Sequence, residues 1–456
     1  MTVAAGLTGT ASARRRGRSV IPATVAIGSG GLSNVDWVTS PDTPTAVLDH
    51  LDDDSDIIVG MANGEPTAVI DAIEAHSDRF NAVRLHQMYA LHDRAYLGGG
   101  TSLQHVAYFL TSVSRPYFHR GTIDLVPNDF SDSAAVMRSQ ATDPLVVVAS
   151  SLPDAEGYVS LGVSCDYVAS FIGQARFFVE ATREMPHTNG KNRIHLSQLA
   201  GWCRSDRPLA DVAPRQPDEI DKTIAVHIAE RIPDGATLQA GVGTIPNAVM
   251  ELLTDHRDLG IHTELLSDNV VDLIESGAVT GARKTLNPGK IVATFALGTR
   301  RLHRFLDGND EVEMWPVSSV NSLATIAGHD NFVSINATLS VDFLGQCASE
   351  TIGGTYHSSS GGQTDFARGV IHSSGGQGFV ALHSTTSQGA SRIVPQLAAG
   401  EVATTPKNIV DKVVTEWGVA ELRGRSIRER TRALIAIAHP DHRDRLRADA
   451  NRLGYL

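Results

Sequence analysis

Short apolar runs alternate with stretches of helical periodicity along most of this chain, and this alternation limits the possible folds more than any other feature. A strand-like run at residues 56–61 precedes a helical run at 67–76. Two further apolar runs, at 144–149 and 175–180, read as buried strands. Strands that are joined through helices pair in parallel, because a parallel connection must cross the sheet. The pattern therefore predicts an α/β fold with largely parallel sheets.

A polar, proline-rich segment at residues 204–217 interrupts this alternation and reads as a linker between domains. An amphipathic helix at 218–231 and a strand at 236–240 then begin a second α/β half. Later strands are predicted at 290–297, 332–339 and 378–382. We therefore expect a loosely ordered extension at residues 1–34, an N-terminal α/β domain at 35–212 and a C-terminal α/β domain at 213–456.

Charge and composition exclude several classes of function. The 456 residues carry a net charge of −12, which argues against nucleic acid as a partner. No apolar run approaches the ~20 residues that span a bilayer, so we expect no membrane segment. Three cysteines far apart indicate neither a disulfide framework nor a cysteine-rich metal site, and favour a cytoplasmic location. The absence of acidic residues before Asp36 leaves a transit peptide as the lesser interpretation of the N-terminus.

The 18 histidines raise the question of a metal site, but their spacing does not support one. No HExxH motif occurs, and the two closest pairs lack an obvious third ligand. Those pairs are His86 with His92 and His439 with His442. We expect structural or surface histidines and no metal.

A glycine-containing turn between a strand and a helix, at residues 238–247, is a candidate binding loop. Glycines let the backbone approach a ligand, and the helix that follows offers unpaired N–H groups to a phosphate or a CoA moiety. A tight turn without a ligand explains the same residues. A dinucleotide fingerprint is a third interpretation, with Gly241 and Gly243 as its first two glycines, but Pro246 stands where the third is needed.

Glu264 ends a short apolar strand, where open α/β sheets place ligands and chemistry. An isolated glutamate is more often a solvated loop acid. Asp268 is expected to cap the helix at 270–276, with Ser267 as the alternative cap.

Small residues fill the stretch at 353–366 and would permit a backbone nest that holds an anion or a developing oxyanion. A flexible loop is the alternative interpretation. The serines at 358–360 lack the GxSxG elbow that would support a serine nucleophile.

Seven segments together resemble family I CoA-transferases, the group that contains acetyl-CoA hydrolase/transferase and 4-hydroxybutyrate CoA-transferase. They are SLPDAEGYVSLG at 151–162, MPHTNG at 185–190, QAGVGTIPNAV at 239–249, HTE at 262–264, VEMWPVSSVN at 312–321, GGQTDFAR at 361–368 and VVTEWGVAELRG at 413–424. The matches run from about residue 56 to the C-terminus. Residues 1 to about 50 do not match, and 86–92 match only loosely.

The resemblance implies two similar open α/β domains of the CoA-transferase/NagB-RpiA-like type, with the active site at their interface. It implies Glu264 as the nucleophile, and Asn321 and the backbone N–H of Gly362 as oxyanion-hole donors. It also implies a loop that holds CoA, formed by Gly241, Val242, Gly243, Thr244 and Ile245 together with Gly361.

By the same resemblance, the protein is expected to transfer CoA between a short-chain acyl-CoA and a free carboxylate. A ping-pong mechanism would pass through an acyl-glutamyl anhydride and a glutamyl-CoA thioester at Glu264. CoA and acyl-CoA would be substrates, with no tightly bound cofactor, and the protein would be a homodimer. Residues 239–248 lean towards 4-hydroxybutyrate or butyrate as the acid. An acyl-CoA hydrolase on the same scaffold and a non-catalytic acyl-CoA-binding protein are the alternatives.

Overall fold

The structure is a computed structural model that describes residues 40–241 and 243–456. The N-terminal extension predicted at residues 1–34 lies outside the described residues. The described residues belong to one compact unit, and the domain boundary expected at residues 212/213 stays a prediction. No helix in the described ranges combines the length and apolarity needed to cross a membrane.

The first part of the chain contains ten strands and three α-helices among the described residues. The strands are β1 Asp56–Val59, β2 Val83–Gln87, β3 Leu103–Ala107, β4 Asp124–Leu125, β5 Leu145–Ser150, β6 Tyr158–Ser160, β7 Arg176–Thr182, β8 Asn189–Gly190, β9 Arg193–His195 and β10 Gly201–Ser205; the helices are α1 Thr67–Ala75, α2 Arg115–Arg120 and α3 Ser133–Gln140. Seven of these strands form one parallel sheet in the order β10-β7-β5-β1-β2-β3-β4.

The second part of the chain contributes the remaining elements of the described residues. The strands are β11 Thr237–Ala240, β12 Gly260–Leu266, β13 Ile291–Ala296, β14 Val312–Met314, β15 Phe332–Ala337, β16 Ser340–Asp342, β17 Cys347–Ala348, β18 Thr351–Ile352, β19 Thr355–Tyr356, β20 Gln377–Ala381, β21 Ile393–Val394, β22 Lys412–Thr415 and β23 Gly418–Glu421; the helices are α4 Glu219–Ala229, α5 Thr244–Glu251, α6 Asp268–Glu275, α7 Arg300–Leu306, α8 Val317–Val320, α9 Leu323–Ala327, α10 Gln363–Val370, α11 Ile427–Ala436 and α12 Pro440–Arg452.

The second sheet has the order β23-β22-β20-β15-β11-β12-β13-β14-β8, and only the β22–β23 pair among its described neighbours is antiparallel. Both sheets are wound in the same way. In the first sheet, β2, β3 and β4 follow β1 on one side, and the chain then returns to add strands on the other side of β1. In the second sheet, β12, β13 and β14 follow β11 in the same way before the chain returns to the other side of β11. This shared winding confirms the prediction of two similar open α/β halves.

Most predicted strands and helices are found within two or three residues of the expected bounds. The strand expected at 144–149 is β5, whose six residues are all buried. The helix expected from residue 247 begins at Thr244, because Pro246 is tolerated in a first turn whose N–H groups need no helical partner. The cap predicted at Asp268 was wrong: Ser267 is the N-cap residue, and the Asp268 carboxylate accepts hydrogen bonds from Thr299.

The two halves share one hydrophobic core. One apolar cluster includes Ile58 and Val146 from the first sheet and Leu238 and Ile335 from the second. One strand of the first half also belongs to the second sheet: β8 pairs with β14 at the edge of that sheet.

Candidate active site

In the second sheet, β11 and β15 lie side by side and their connections leave in opposite directions. Such a switch point is where open α/β sheets bind ligands. β11 pairs with β12 only at Thr237 and Leu238, and the chain leaves the sheet at Gly241. β12 continues to Leu266, so Glu264 lies beyond the end of this pairing and its carboxylate is only partly covered. Glu264 therefore lies near the carboxyl end of β12, beside this switch point.

Asn321 lies next to Glu264, although 57 residues separate them. Its amide nitrogen Nδ2 donates a hydrogen bond to Glu264 Oε2 over 3.0 Å. Asn321 follows helix α8 directly, and the buried ring of His262 holds the end of that helix by donating from Nε2 to the Val320 carbonyl over 2.7 Å. His262 precedes Glu264 by two residues on the same strand, so one strand positions both members of the pair.

Gly362 faces the same carboxylate from the start of α10. A Cβ built on this glycine would lie closer than 3.0 Å to both Glu264 Oε2 and Asn321 Nδ2. The preceding Gly361 has φ +56°, a conformation that glycine adopts without strain. Glu264, Asn321 and Gly362, which the family resemblance implies as site residues, therefore meet at one point.

Burial raises the pKa of Glu264 to about 7; the hydrogen bond from Asn321 opposes this increase and the negative charge of Asp365 adds to it. A carboxylate with a raised pKa is less well solvated than one in water, and is therefore a better nucleophile once it is ionised. The site combines a partly desolvated carboxylate with a neutral hydrogen-bond donor.

The predicted CoA-binding loop lies at the same edge of the sheet. A Cβ on Gly241 would approach Asn336 Oδ1 to 2.9 Å, so the turn passes close to β15. Gly243 has φ +142° and is the N-cap residue of α5, whose first residues are Thr244 and Ile245. Val242 lies outside the described residues. The N–H groups of this first turn are available to an anion.

Loops of the first half reach the glycine-rich segment. The backbone N–H of Phe130 donates to the Gly361 carbonyl over 3.0 Å, and Ser360 Oγ donates to the Asn128 carbonyl over 2.6 Å. The ring of Phe109 would lie 3.7 Å from a Cβ on Gly361. The site is therefore built from both halves of the chain.

Two site residues carried no role in the sequence analysis. Asp365 Oδ2 accepts a second hydrogen bond from Asn321 Nδ2 over 3.2 Å, and Ser131 Oγ donates to Asp365 Oδ1 over 2.7 Å. Asp365 falls inside the GGQTDFAR segment, which could have marked it. Ser131 gives no local signal, because its importance comes from a contact with a residue 234 positions away.

A cavity of about 220 Å³ beside β16 and β18 was also not expected from the sequence. Its lining includes Ser340, Thr351, Thr386, Arg392 and Glu401. Within the described part of the chain, Ser340 Oγ and Arg392 Nε are buried and lack hydrogen-bond partners. A guanidinium group and a hydroxyl with free donors suit an anionic ligand.

Among the described residues, one group of side chains has the spacing of metal ligands: Asp218, Asp221 and His383. Its two acids form the capping box of α4, and His383 Nε2 lies 2.7 Å from Asp221 Oδ1. Helix capping and this hydrogen bond account for the group.

Two family models match the chain. The acetyl-CoA hydrolase/transferase N-terminal domain matches residues 36–226, and the C-terminal domain of the same family matches residues 298–450. Glu264 and the glycine loop lie between the two matched ranges.

Named relatives match over most of the chain. The chain is 42% identical to a succinyl-CoA:cyclohexane-1-carboxylate CoA transferase of Geobacter metallireducens, over 86% of this chain and 91% of that protein. It is 37% identical to a 4-hydroxybutyrate coenzyme A transferase of Clostridium kluyveri, over 89% of this chain and 95% of that protein.

Solved structures agree with the sequence relatives. RipA from Yersinia pestis superposes with a TM-score of 0.84 at 34% identity, covering 91% of this chain and 97% of RipA. A 4-hydroxybutyrate CoA-transferase from Porphyromonas gingivalis superposes with a TM-score of 0.77 at 34% identity, covering 90% and 97%. The chain is thus an enzyme of the acetyl-CoA hydrolase/transferase family, related to CoA-transferases over most of its length.

Proposed function

We propose that this protein transfers coenzyme A between a short-chain acyl-CoA and a free carboxylate, with Glu264 as the nucleophile. The observation that carries the proposal is the 3.0 Å hydrogen bond from Asn321 to a partly covered glutamate that Gly362 leaves unobstructed. The names of the relatives support CoA transfer as the reaction class.

The reaction needs no water and no proton. A Glu264 oxygen attacks the thioester carbon, the C–S bond breaks, and CoA leaves as a thiolate while an acyl-glutamyl anhydride remains. The thiolate then attacks the glutamyl carbonyl, which releases the first acid and forms a glutamyl-CoA thioester. The second acid repeats both steps in reverse and regenerates the Glu264 carboxylate. Covalent catalysis of this kind gives ping-pong kinetics.

When the thiolate attacks the glutamyl carbonyl, the tetrahedral oxyanion forms on a Glu264 oxygen, where the Asn321 amide and the Gly362 N–H would stabilise it. Losing one such donor typically lowers kcat by about 10²–10³-fold. Donors fixed by the surrounding fold need no reorganisation when the charge develops. Here the Asn321 side chain is 1% exposed and α8 holds its backbone.

CoA would enter along the carboxyl edge of the second sheet. The first turn of α5, with Gly241, Val242, Gly243, Thr244 and Ile245, would hold part of the molecule, as would Gly361. The free donors of Ser340 and Arg392 suit its phosphates. Binding energy from these remote parts can offset the cost of forming the anhydride. We propose no tightly bound cofactor, and a homodimer in the cytoplasm.

Acyl exchange tests the proposal. Purified protein is incubated with acetyl-CoA and an excess of butyrate, 4-hydroxybutyrate or succinate, and the acyl-CoA products are identified by mass spectrometry. Wild-type protein should form the new acyl-CoA, and Glu264→Gln should not. Free CoA without a new acyl-CoA would indicate the hydrolase instead. Exchange that survives Glu264→Gln would disprove the assignment of the nucleophile.

A further inference from the structure

The Asn321 amide lies between two carboxylates. Its Nδ2 atom donates one hydrogen bond to Glu264 Oε2 over 3.0 Å and another to Asp365 Oδ2 over 3.2 Å. A primary amide nitrogen carries two N–H groups, so these contacts use both. Within the described residues the carbonyl oxygen Oδ1 is buried and has no hydrogen-bond partner. An amide turned the other way would bring Oδ1 against two carboxylates and lose both bonds.

Asp365 is itself held in place by the first half of the chain. The backbone N–H of Ser131 donates to Asp365 Oδ2 over 3.0 Å, and the Ser131 hydroxyl donates to Oδ1 over 2.7 Å. Asp365 also lies in the first turn of α10, where the helix dipole favours a negative charge. Three donors and a helix N-terminus therefore oppose the cost of ionising this buried carboxylate beside Asn321.

Burial, hydrogen bonds and a neighbouring acid all act on the pKa of Asp365. Burial raises the pKa of Asp365 to about 7; the hydrogen bonds from Ser131 and Asn321 oppose the increase, and the negative charge of Asp129 adds to it. Asp129 is itself influenced by Arg368, whose positive charge lowers the pKa of Asp129. The groups that act on Glu264 are Asn321, which is neutral, and Asp365.

We propose that Asp365 is a positioning residue: its carboxylate, anchored by Ser131, turns the Asn321 N–H towards Glu264, and its charge controls the ionisation of Glu264. This inference rests on the proposed nucleophilic role of Glu264. It extends the active site to a residue pair that joins the two halves of the chain.

Two substitutions separate orientation from charge. In Asp365→Asn, the amide oxygen can take the place of Oδ2 and accept from Ser131 and Asn321. Its NH2 group then donates to the Ser131 hydroxyl, which can accept as well as donate. This variant keeps the geometry and removes the charge. Asp365→Ala removes both, and Ser131→Ala weakens only the anchor.

The test measures single-turnover formation of the covalent enzyme–CoA adduct from acetyl-CoA, by intact-protein mass spectrometry between pH 5 and 9. In Asp365→Asn, the acid limb of the rate should move to lower pH by about one unit, because a neighbouring like charge raises the pKa of a carboxyl group and the variant removes that charge. Its plateau rate should stay within about threefold. In Asp365→Ala, the plateau should fall by about 10²-fold, as on losing an oxyanion donor. Ser131→Ala should lie between wild type and Asp365→Ala.

Asp132→Asn is the matched control, because Asp132 is an exposed acid next to Ser131; its profile should match wild type. An unmoved acid limb in Asp365→Asn, or a wild-type plateau in Asp365→Ala, would overturn the proposal. If Asp365→Ala fails to fold, Asp365→Asn decides alone. An adduct that is missing in wild type, or present in Glu264→Gln, would contradict the nucleophile instead, so the two failures are distinguishable.

Discussion

Glu264 occupies the space in which any residue other than glycine at position 362 would place its Cβ. Both the Glu264 carboxylate and the Asn321 amide would lie closer than 3.0 Å to that atom. The backbone φ of Gly362 is −96°, which other residues adopt readily. Glycine is therefore required at this position by the neighbouring carboxylate and not by backbone conformation.

Gly362→Ala should abolish most activity while leaving the fold intact. The new methyl group must displace Glu264 or Asn321, so we expect kcat to fall by about 10²–10³-fold, as on losing an oxyanion donor. Steady-state exchange and thermal unfolding should be measured together. Gly98→Ala is the control, because its Cβ would lie 4.0 Å from the nearest atom, in the ring of Tyr117. Wild-type kcat in Gly362→Ala would contradict the arrangement of the site.

The rate of exchange should rise with pH through about 7. The nucleophile must be ionised, and the pKa of Glu264 is raised to about 7, chiefly by burial. Below that value, the ionised fraction and kcat/KM should fall about tenfold per pH unit. Initial rates between pH 5 and 9 would show this limb, with circular dichroism at each pH to confirm that the protein stays folded. A flat profile down to pH 5 would contradict the raised pKa.

Removing the buried carboxylate of Asp56 should destabilise the first half of the molecule. It accepts hydrogen bonds from Arg84, His86 and the Thr142 N–H, and is 3% exposed. Breaking such a network typically costs about 3–5 kcal/mol. We therefore expect Asp56→Ala to lower the midpoint of urea unfolding clearly at pH 7. Asp54→Asn, an exposed acid in the preceding turn, should not.

The effect of Asp56 should also depend on pH. Burial opposes ionisation, but the hydrogen bonds from Arg84, Thr142 and His86 outweigh it and hold the pKa of Asp56 below its ordinary 3.8. The stabilisation is therefore complete above pH 3.8 and is lost as the pH falls below it. The difference between wild type and Asp56→Ala should narrow only below about pH 4. A difference that narrows already between pH 7 and 5 would contradict this.

Lys284 should make stability rise with pH as well, but in a much higher pH range than Asp56. It is 4% exposed, its Nζ donates to the Ile261 carbonyl over 2.9 Å, and burial lowers its pKa from 10.5 to about 7 although the charge of Glu313 opposes this. Between these values, the unfolded chain binds a proton that the folded chain does not, so stability rises with pH.

The stability of wild type relative to Lys284→Met should therefore increase from pH 7 to pH 10. Below pH 7 both states of the wild type hold the proton, and the relative stability should be lowest and constant. Unfolding midpoints across this range provide the measurement. Exposed Lys407→Met serves as the control, and the same slope for both variants would refute the interpretation.

The sequence predicts those features that depend on local pattern. The buried apolar run of β5 and the amphipathic pattern of α4 are recognisable because burial selects for them locally. The turn at Gly241 is also recognisable locally, because glycines between a strand and a helix indicate a tight turn. The apolar strand that carries Glu264 was predicted and is β12, although it continues two residues further, to Leu266. The contact of Glu264 with Asn321 could be expected only through family resemblance.

Features that depend on distant contacts were missed or wrongly assigned. Asp268 has the sequence context of a helix cap, but a better partner, Thr299, lies 31 residues further along the chain. Ser131 and Asp365 become a pair only when loops of the two halves meet. Arg392 is a single arginine with no motif, and its place in the lining of the cavity could not be predicted from the sequence. Local pattern carries no information on such pairings.

The short strand Asn189–Gly190 has a consequence for how this molecule could be divided. It joins the edge of the second sheet before the chain has reached the linker predicted at 204–217, whose first two residues belong to β10. A cut in that linker would leave the edge of β14 with unpaired backbone groups, which invite association between copies. The first fragment would contain β8 without β14, the strand with which it pairs. The two halves are therefore not interchangeable modules, and a split version should regain order only when both fragments are made together.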